Sequence, residues 1–263
     1  YIYMAIRRPM KTPESSDEVF AIDAENPEAT SPTFKSGFPV DMSIWTDITG
    51  GNNQVVTRLA GANRYYTDLT NAETAWTDAT FDYMNGWRDT AVSVVNQYSW
   101  MFKRAKGFFD VVAYTGDGIA GRTVNHNLGV VPEMMWVKCR NDTINWNVYL
   151  KSEGNTKYIL LDTNGVPTIG STRWNNTSPT ETDFTLGTKD DVNFSGNTYI
   201  AYLFATLAGI SKVGSYTGNG TSQTIDCGFS TGAKFIIIKR TDSTGDWIMV
   251  DSVRGLDNFL ELN

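Results

Sequence analysis

The chain has 263 residues, of which 41% are hydrophobic and 19% charged, and a net charge of −7. That is enough apolar material to fold rather than stay disordered. The acidic balance, with no basic cluster larger than Lys103-Arg104-Ala105-Lys106, argues against nucleic acid as a partner, and no apolar run reaches the roughly 18 residues of a membrane span.

The composition is rich in Thr, Asn, Gly, Tyr and Trp, which favours strands and turns. In chain order, YIYMAIRR (1–8) opens as if in the middle of a strand. Residues 10–35 hold Pro13, Pro27 and Pro32, and Glu14, Asp17, Glu18, Asp23, Glu25 and Glu28 follow Lys11 with no basic residue before Lys35. This reads as an inserted acidic loop, with VFAID (19–23) as its one strand-like run. GFPVDMSIW (37–45) and NRYYTDLTNA (63–72) follow. WRDTAVSVVNQYSWMFKRA (87–105) carries Val and Trp spacing compatible with a helix, but its bulky residues favour a strand at 97–104. Trp146, Val148 and Leu150 alternate with Asn145, Asn147 and Tyr149, the pattern of a half-buried strand. The chain closes on FLELN, another strand, so both ends look cut from something longer.

The strongest organising signal is repetition. AYTGDG (113–118) returns as SYTGNG (215–220), EMMWVKCR (133–140) as KFIIIKRT (234–241), and INWNVYL (144–150) as GDWIMVD (245–251). Trp146 then falls opposite Trp247, Gly154 opposite Gly255, and KYILLD (157–162) opposite NFLELN (258–263). A weaker copy occupies the start: 37–45 aligns with 232–238, 63–72 with 156–165, Phe81 with Phe184, and 97–116 with 199–218. YIYMAIRR aligns with YIAYLFAT (199–206). The expected organisation is a closing strand of a preceding unit at 1–9, a divergent unit at 10–108, a complete unit at 109–210 and half a further unit at 211–263. Units of about 100 residues with short strands read as tandem β-sandwich or jelly-roll-like folds in an all-β protein.

Chemistry-bearing motifs are weak. GDGIAG (116–121) matches GxGxxG but precedes RTVNHN, a poor helix start, so Asp117-Gly118 is expected to be a hairpin turn and no cofactor is predicted. His126 is the only histidine, which rules out multi-histidine zinc sites and leaves no recognisable catalytic triad. Asp162, Glu181, Asp183, Asp190 and Asp191 offer carboxylates, yet nothing in the sequence pairs them as a glycosidase would need. DSTGD (242–246) lacks the ligand spacing of a calcium loop. No metal and no catalytic residue are predicted. Cys139 and Cys227 stand at non-equivalent repeat positions and are expected as free thiols. The recurring Trp146 and Trp247 are expected in the core, with Gln54 at that position of the divergent first unit. Trp76 and Trp174, in loop-like polar surroundings, are the candidate ligand-binding residues at the surface.

Taken together, YTGNG, then FIIIKRTDSTGDWIMVDSVRG, then the NFLELN strand, and TYIAYLFA resemble a repeated domain of tail-fibre and other virion proteins of tailed bacteriophages, notably marine ones. The resemblance covers 109–263 well and 1–108 more loosely. It implies a structural, non-enzymatic component of a virion tail or tail-associated appendage that contributes to host attachment. Partners implied are copies of itself, as a trimer in a fibre, other virion tail proteins, and a host cell-surface glycan. The alternatives are an adaptor or capsid-attached protein without a ligand, and a carbohydrate-binding module.

Overall fold

The computed structural model describes residues 4, 10–24, 31–89, 96–255 and 257–263. The expected strand at 1–8 lies outside these, apart from Met4, and so does the middle of the acidic loop. The protein is all-β, built from antiparallel sheets, and its α-helices among the described residues are the single turns Ser171–Trp174 and Asp190–Asn193.

Two six-stranded sheets share one topology. In the first, the spatial order is Phe20–Ala24, Gln97–Phe102, Met42–Asp47, Gln54–Thr57, Asn63–Tyr66 and Thr74–Ala75. In the second it is Phe109–Thr115, Thr198–Phe204, Met134–Cys139, Asn147–Leu150, Lys157–Leu160 and Thr168–Ile169. The third sheet has three strands, Phe235–Lys239, Trp247–Asp251 and Leu260–Glu261, which correspond to the third to fifth positions of the others. Registers establish the equivalence. Met42 pairs with Phe102 and Thr57, and Met134 pairs with Phe204 and Leu150. One backbone bond recurs in all three sheets: the amides of Thr67, Leu161 and Leu262 donate to the carbonyls of Asn53, Trp146 and Trp247.

These registers correct three sequence alignments. Tyr65, not Tyr66, stands where Ile159 does, so 63–72 is displaced by one residue from the expected match. A one-residue slip exchanges the two faces of a strand, and only the observed register buries Tyr65. Asn53, not Gln54, takes the place of Trp146. Trp87, paired with Phe34, takes the place of Phe184, paired with Val124, whereas Phe81 lies before that strand. The strand at Gln97–Phe102 forms as expected.

Each large sheet is buried on both faces. The inner faces of all three pool into one core that includes Trp100 and Phe102, Trp136 and Phe204, and Trp247 and Met249. The outer face of the second sheet packs Met135, Val137 and Tyr149 under the small sheet Arg122–Asn125 and Asp183–Leu186. The outer face of the first packs Trp45, Val56 and Met101 under Phe34–Lys35, Gly86–Asp89 and Ala79–Thr80. Asn147–Leu150 is therefore not half-buried: Val148 enters the inner core and Tyr149 the outer one.

Candidate functional site

Two places gather polar chemistry: the joints between the sheets and a polar cleft at one end of the second unit. At the joints, Trp146 Nε1 donates to the carbonyl of Tyr66 at 2.7 Å, and Trp247 Nε1 donates to that of Leu160 at 2.9 Å. Asn53, at the same repeat position, donates its side-chain amide to the carbonyl of Glu261. Tyr66, Leu160 and Glu261 are themselves equivalent, so the second unit is tied to the first, the third to the second, and the first to the third. A lysine repeats the pattern. Lys138 Nζ donates to Thr70 O at 2.9 Å and Ile144 O at 2.6 Å, and Lys239 Nζ donates to the equivalent carbonyls of Asn164 and Gly245. Burial lowers the Lys138 ammonium to about 8, against the pull of Asp162 and Asp142, and lowers Lys239 for the same reason. Arg140 adds an ion pair with Glu73 at 2.9 Å, and Glu73 also accepts from Tyr65. At the third joint, Asp251 accepts from Trp100 Nε1 at 3.2 Å and from Arg254 at 2.6 Å, while the Phe20 and Phe235 rings meet at 5.3 Å.

The cleft, of about 370 Å³, opens between the loop after Met134–Cys139 and the turn Asp190–Asn193. Asp142 and Ile144 from the first, Lys189, Asp190 and Asp191 from the second, and Phe194 and Asn197 just beyond it line the cleft. Phe194 is 48% exposed there. The walls are held from behind. Tyr199 OH donates to Asp190 O at 2.5 Å and accepts the Phe194 amide at 2.8 Å. Arg173, buried and bonded to Asn147, pairs with Asp191. Asn197 reaches Asp142 at 3.5 Å, and Asn141 accepts the Thr198 amide.

The AYTGDG phrase supports this cleft. Tyr114 OH donates to Val192 O at 2.8 Å, and Asn193 Nδ2 donates to Asp117 Oδ1 and Gly187 O. Gly116 exchanges backbone bonds with Asn197 and Gly196, and a Cβ on it would sit 2.1 Å from Phe194 O. The expected hairpin at Asp117-Gly118 is thus replaced. Phe109–Thr115 and Arg122–Asn125 belong to different sheets, and the glycines serve close backbone approach rather than a two-residue turn.

Trp76 and Trp174 do not stand on the surface, which corrects that expectation. Trp174 is 1% exposed, with Nε1 donating to Lys157 O, and the Tyr149 ring meets it edge-on. Trp76 is 7% exposed, packed on Trp45 and Trp87 beneath the Arg64 guanidinium. Polar neighbours in sequence misled because they turn outward, as Thr77 does, or are buried through pairing, as Arg173 is with Asn147 and Asp191, while the ring fills the outer core. The aromatic residue that is exposed in the cleft, Phe194, carried no signal beyond an acidic stretch ending in Asn-Phe. His126 is buried rather than a free loop side chain, accepts the Leu128 amide through Nδ1, and has its pKa lowered by burial. Of the sequence carboxylates, Asp190 and Asp191 reach the cleft. Asp162 instead binds Asn145 and the Trp146 amide, and burial raises its pKa. Asp183 lies in a strand, and Glu181 precedes it. Among the described residues, no three His, Cys, Asp or Glu side chains converge as a metal site, no helix is long and apolar enough to cross a membrane, and Cys139 and Cys227 are free thiols.

These features define an all-β protein whose sandwich-like units are locked by repeated side-chain joints and carry a polar cleft at one loop end. The chain belongs to a family described as a domain of unknown function (DUF7483), matched over residues 50–262. No curated protein and no solved structure matches it.

Proposed function

We propose that the protein is a structural, non-enzymatic part of a bacteriophage virion, in a tail or tail-associated appendage, that contributes to host attachment. The observation that carries this reading is the set of equivalent joints, Trp146 to Tyr66, Trp247 to Leu160 and Asn53 to Glu261. Buried indole-to-carbonyl bonds at repeat positions make each unit rigid against its neighbour, which suits a load-bearing part and leaves loop ends free to vary. Copies of the chain, as a trimer in a fibre, and other virion tail proteins are the partners of this reading. The test is to locate the chain in a cryo-EM map of the particle that encodes it. Density for it in a tail appendage supports the proposal, and its absence from the purified particle sinks it.

A second reading, a carbohydrate-binding module, is favoured by Phe194 exposed in the cleft with Asp142 and Asn197. An apolar ring beside hydrogen-bonding groups is the chemistry a sugar ring needs. Binding to a glycan array that disappears in Phe194→Ala supports it. Binding unchanged in that variant excludes this cleft.

A further inference from the structure

We propose that Asn219-Gly220 is a site of self-modification: the Gly220 amide attacks the Asn219 side chain, and the product is an aspartyl or isoaspartyl residue. The sequence holds three Asn-Gly pairs, Asn85-Gly86, Asn164-Gly165 and Asn219-Gly220, and one Asp-Gly pair, Asp117-Gly118, at the repeat position of the third. The three Asn-Gly pairs share one local chemistry, because a glycine carries no Cβ to hinder attack by its nitrogen. The fold treats them differently. Gly86 is buried at the start of the strand Gly86–Asp89, where an added Cβ would stand 2.0 Å from Phe34 O, and Asn85 O accepts the amides of Ser36 and Gly37. Asn164 O is held at a joint by Lys239 Nζ and the Gly245 amide, and the Gly165 amide turns to Thr163 Oγ1. Gly118 donates its amide to Asn193 O at 2.8 Å. The Gly220 amide, by contrast, has no hydrogen-bond partner among the described residues. Asn219 and Gly220 are both exposed, and a Cβ on Gly220 would meet nothing within 4 Å. The nucleophile is therefore free, and the backbone around it has room for the rotation that ring closure needs.

The electrophile is prepared as well. Asn219 Oδ1 accepts two hydrogen bonds from one residue, the Thr221 amide and the Thr221 hydroxyl, each at 2.9 Å. An Asx turn of this kind folds the carboxamide back over the peptide bond that follows it. Negative charge develops on Oδ1 as the ring closes, and two donors already aimed at that oxygen act as a small oxyanion hole. The turn itself repeats. Asp117 Oδ1 accepts the Ile119 amide at 2.8 Å, but Ile119 has no hydroxyl to add a second bond.

In the step, the Gly220 nitrogen gives its proton to solvent and bonds to Asn219 Cγ. The Cγ–Nδ2 bond breaks, and the nitrogen leaves as ammonia after taking a proton back from solvent. Water then opens the resulting succinimide at either carbonyl, which leaves aspartate or isoaspartate. Nothing is oxidised or reduced, and water is the one co-reactant. The site gains one negative charge. Where the ring opens to aspartate, the YTGNG of the third unit becomes the YTGDG that the second unit encodes.

The test is to age the folded 263-residue chain in warm, mildly alkaline buffer and to follow each Asn-Gly peptide by mass spectrometry. Asn219 is expected to deamidate about tenfold or more faster than Asn85 and Asn164, whose backbones must open first. Thr221→Val should slow Asn219 by about threefold and leave the other two unchanged, a smaller effect than in an enclosed oxyanion hole because solvent screens this one. In denaturant the three sites should converge. Deamidation of Asn85 or Asn164 as fast as that of Asn219 overturns the proposal, as does a Thr221→Val rate equal to that of the parent chain. A preference for Asn219 that survives denaturation places its cause in the local sequence and overturns it too.

Discussion

The same phrase has two fates in this molecule. AYTGDG in the second unit is built into the structure: Tyr114 is buried, bonded to Val192 O and stacked 5.2 Å from Tyr199, and Gly116 lies against the backbone of Phe194. SYTGNG in the third unit touches little. Tyr216 is half exposed, and a Cβ on Gly218 would meet nothing within 4 Å. The residues are nearly identical, so their intrinsic preferences cannot account for the difference. The neighbours do. The second unit has Thr198–Phe204 beside the phrase and Asp190–Asn193 beneath it, whereas no strand stands beside the third copy among the described residues.

That contrast can be broken by substitution. The largest loss is expected for Trp146→Ala, about 4 kcal/mol, because it empties a fully buried site and orphans the Tyr66 carbonyl. Trp247→Ala should cost less, about 3 kcal/mol, since the third unit adds only Met249 and Leu262 as further fully buried apolar side chains among the described residues. Urea denaturation of both variants measures the gap, and equal losses would deny that the second unit is the better packed.

Gly116→Ala and Gly218→Ala sharpen the comparison most directly. The first is expected to cost about 2–3 kcal/mol, because the added carbon meets backbone that cannot swing away. The second should stay within about 0.5 kcal/mol. Similar melting temperatures for the two variants would mean that the docked phrase contributes nothing to stability.

The joint lysines give a pH signature. Lys138 titrates near 8 when folded and at 10.5 when free, so between those values unfolding takes up a proton. Its contribution to stability therefore rises with pH through that window, by about 1.5 kcal/mol between pH 8 and 9.5, read as the difference from a variant lacking the amine so that the tyrosine and cysteine ionisations common to both cancel. Lys138→Met should remove this rise and cost about 1–2 kcal/mol at pH 7, by leaving Thr70 and Ile144 without their donor. Chemical denaturation of both proteins at the two pH values checks it. The smallest stability change is expected for Phe194→Ala, within about 0.5 kcal/mol, because that ring is half in solvent. A larger loss, read from the same denaturation curves, would make Phe194 a packing residue rather than a cleft residue.

Much of the architecture was legible in order. The strand at Gln97–Phe102 was distinguishable from a helix because its repeat partner concentrates Tyr, Ile and Phe, and the core placement of Trp146 and Trp247 followed from their shared register. The candidate site was not legible. Trp76 and Trp174 looked like surface rings because a sequence shows who is adjacent along the chain, not which small sheet will cover them. Phe194 became visible only once the loop that carries Asp142, far away along the chain, stood beside it.

By itself, the sequence determined that this protein is all-β, that the strands of its second and third units recur with a spacing near 101 residues, and that Trp146 and Trp247 fall in register. Those properties are local or periodic, set by β-branched and aromatic side chains and by repeated phrases. The tertiary structure decided which strands share a sheet, which face of each is buried twice, and whether a YTG phrase becomes a support or a free segment. Such outcomes depend on contacts between residues far apart in the chain, and a one-residue change of register, as at Tyr65, reverses them.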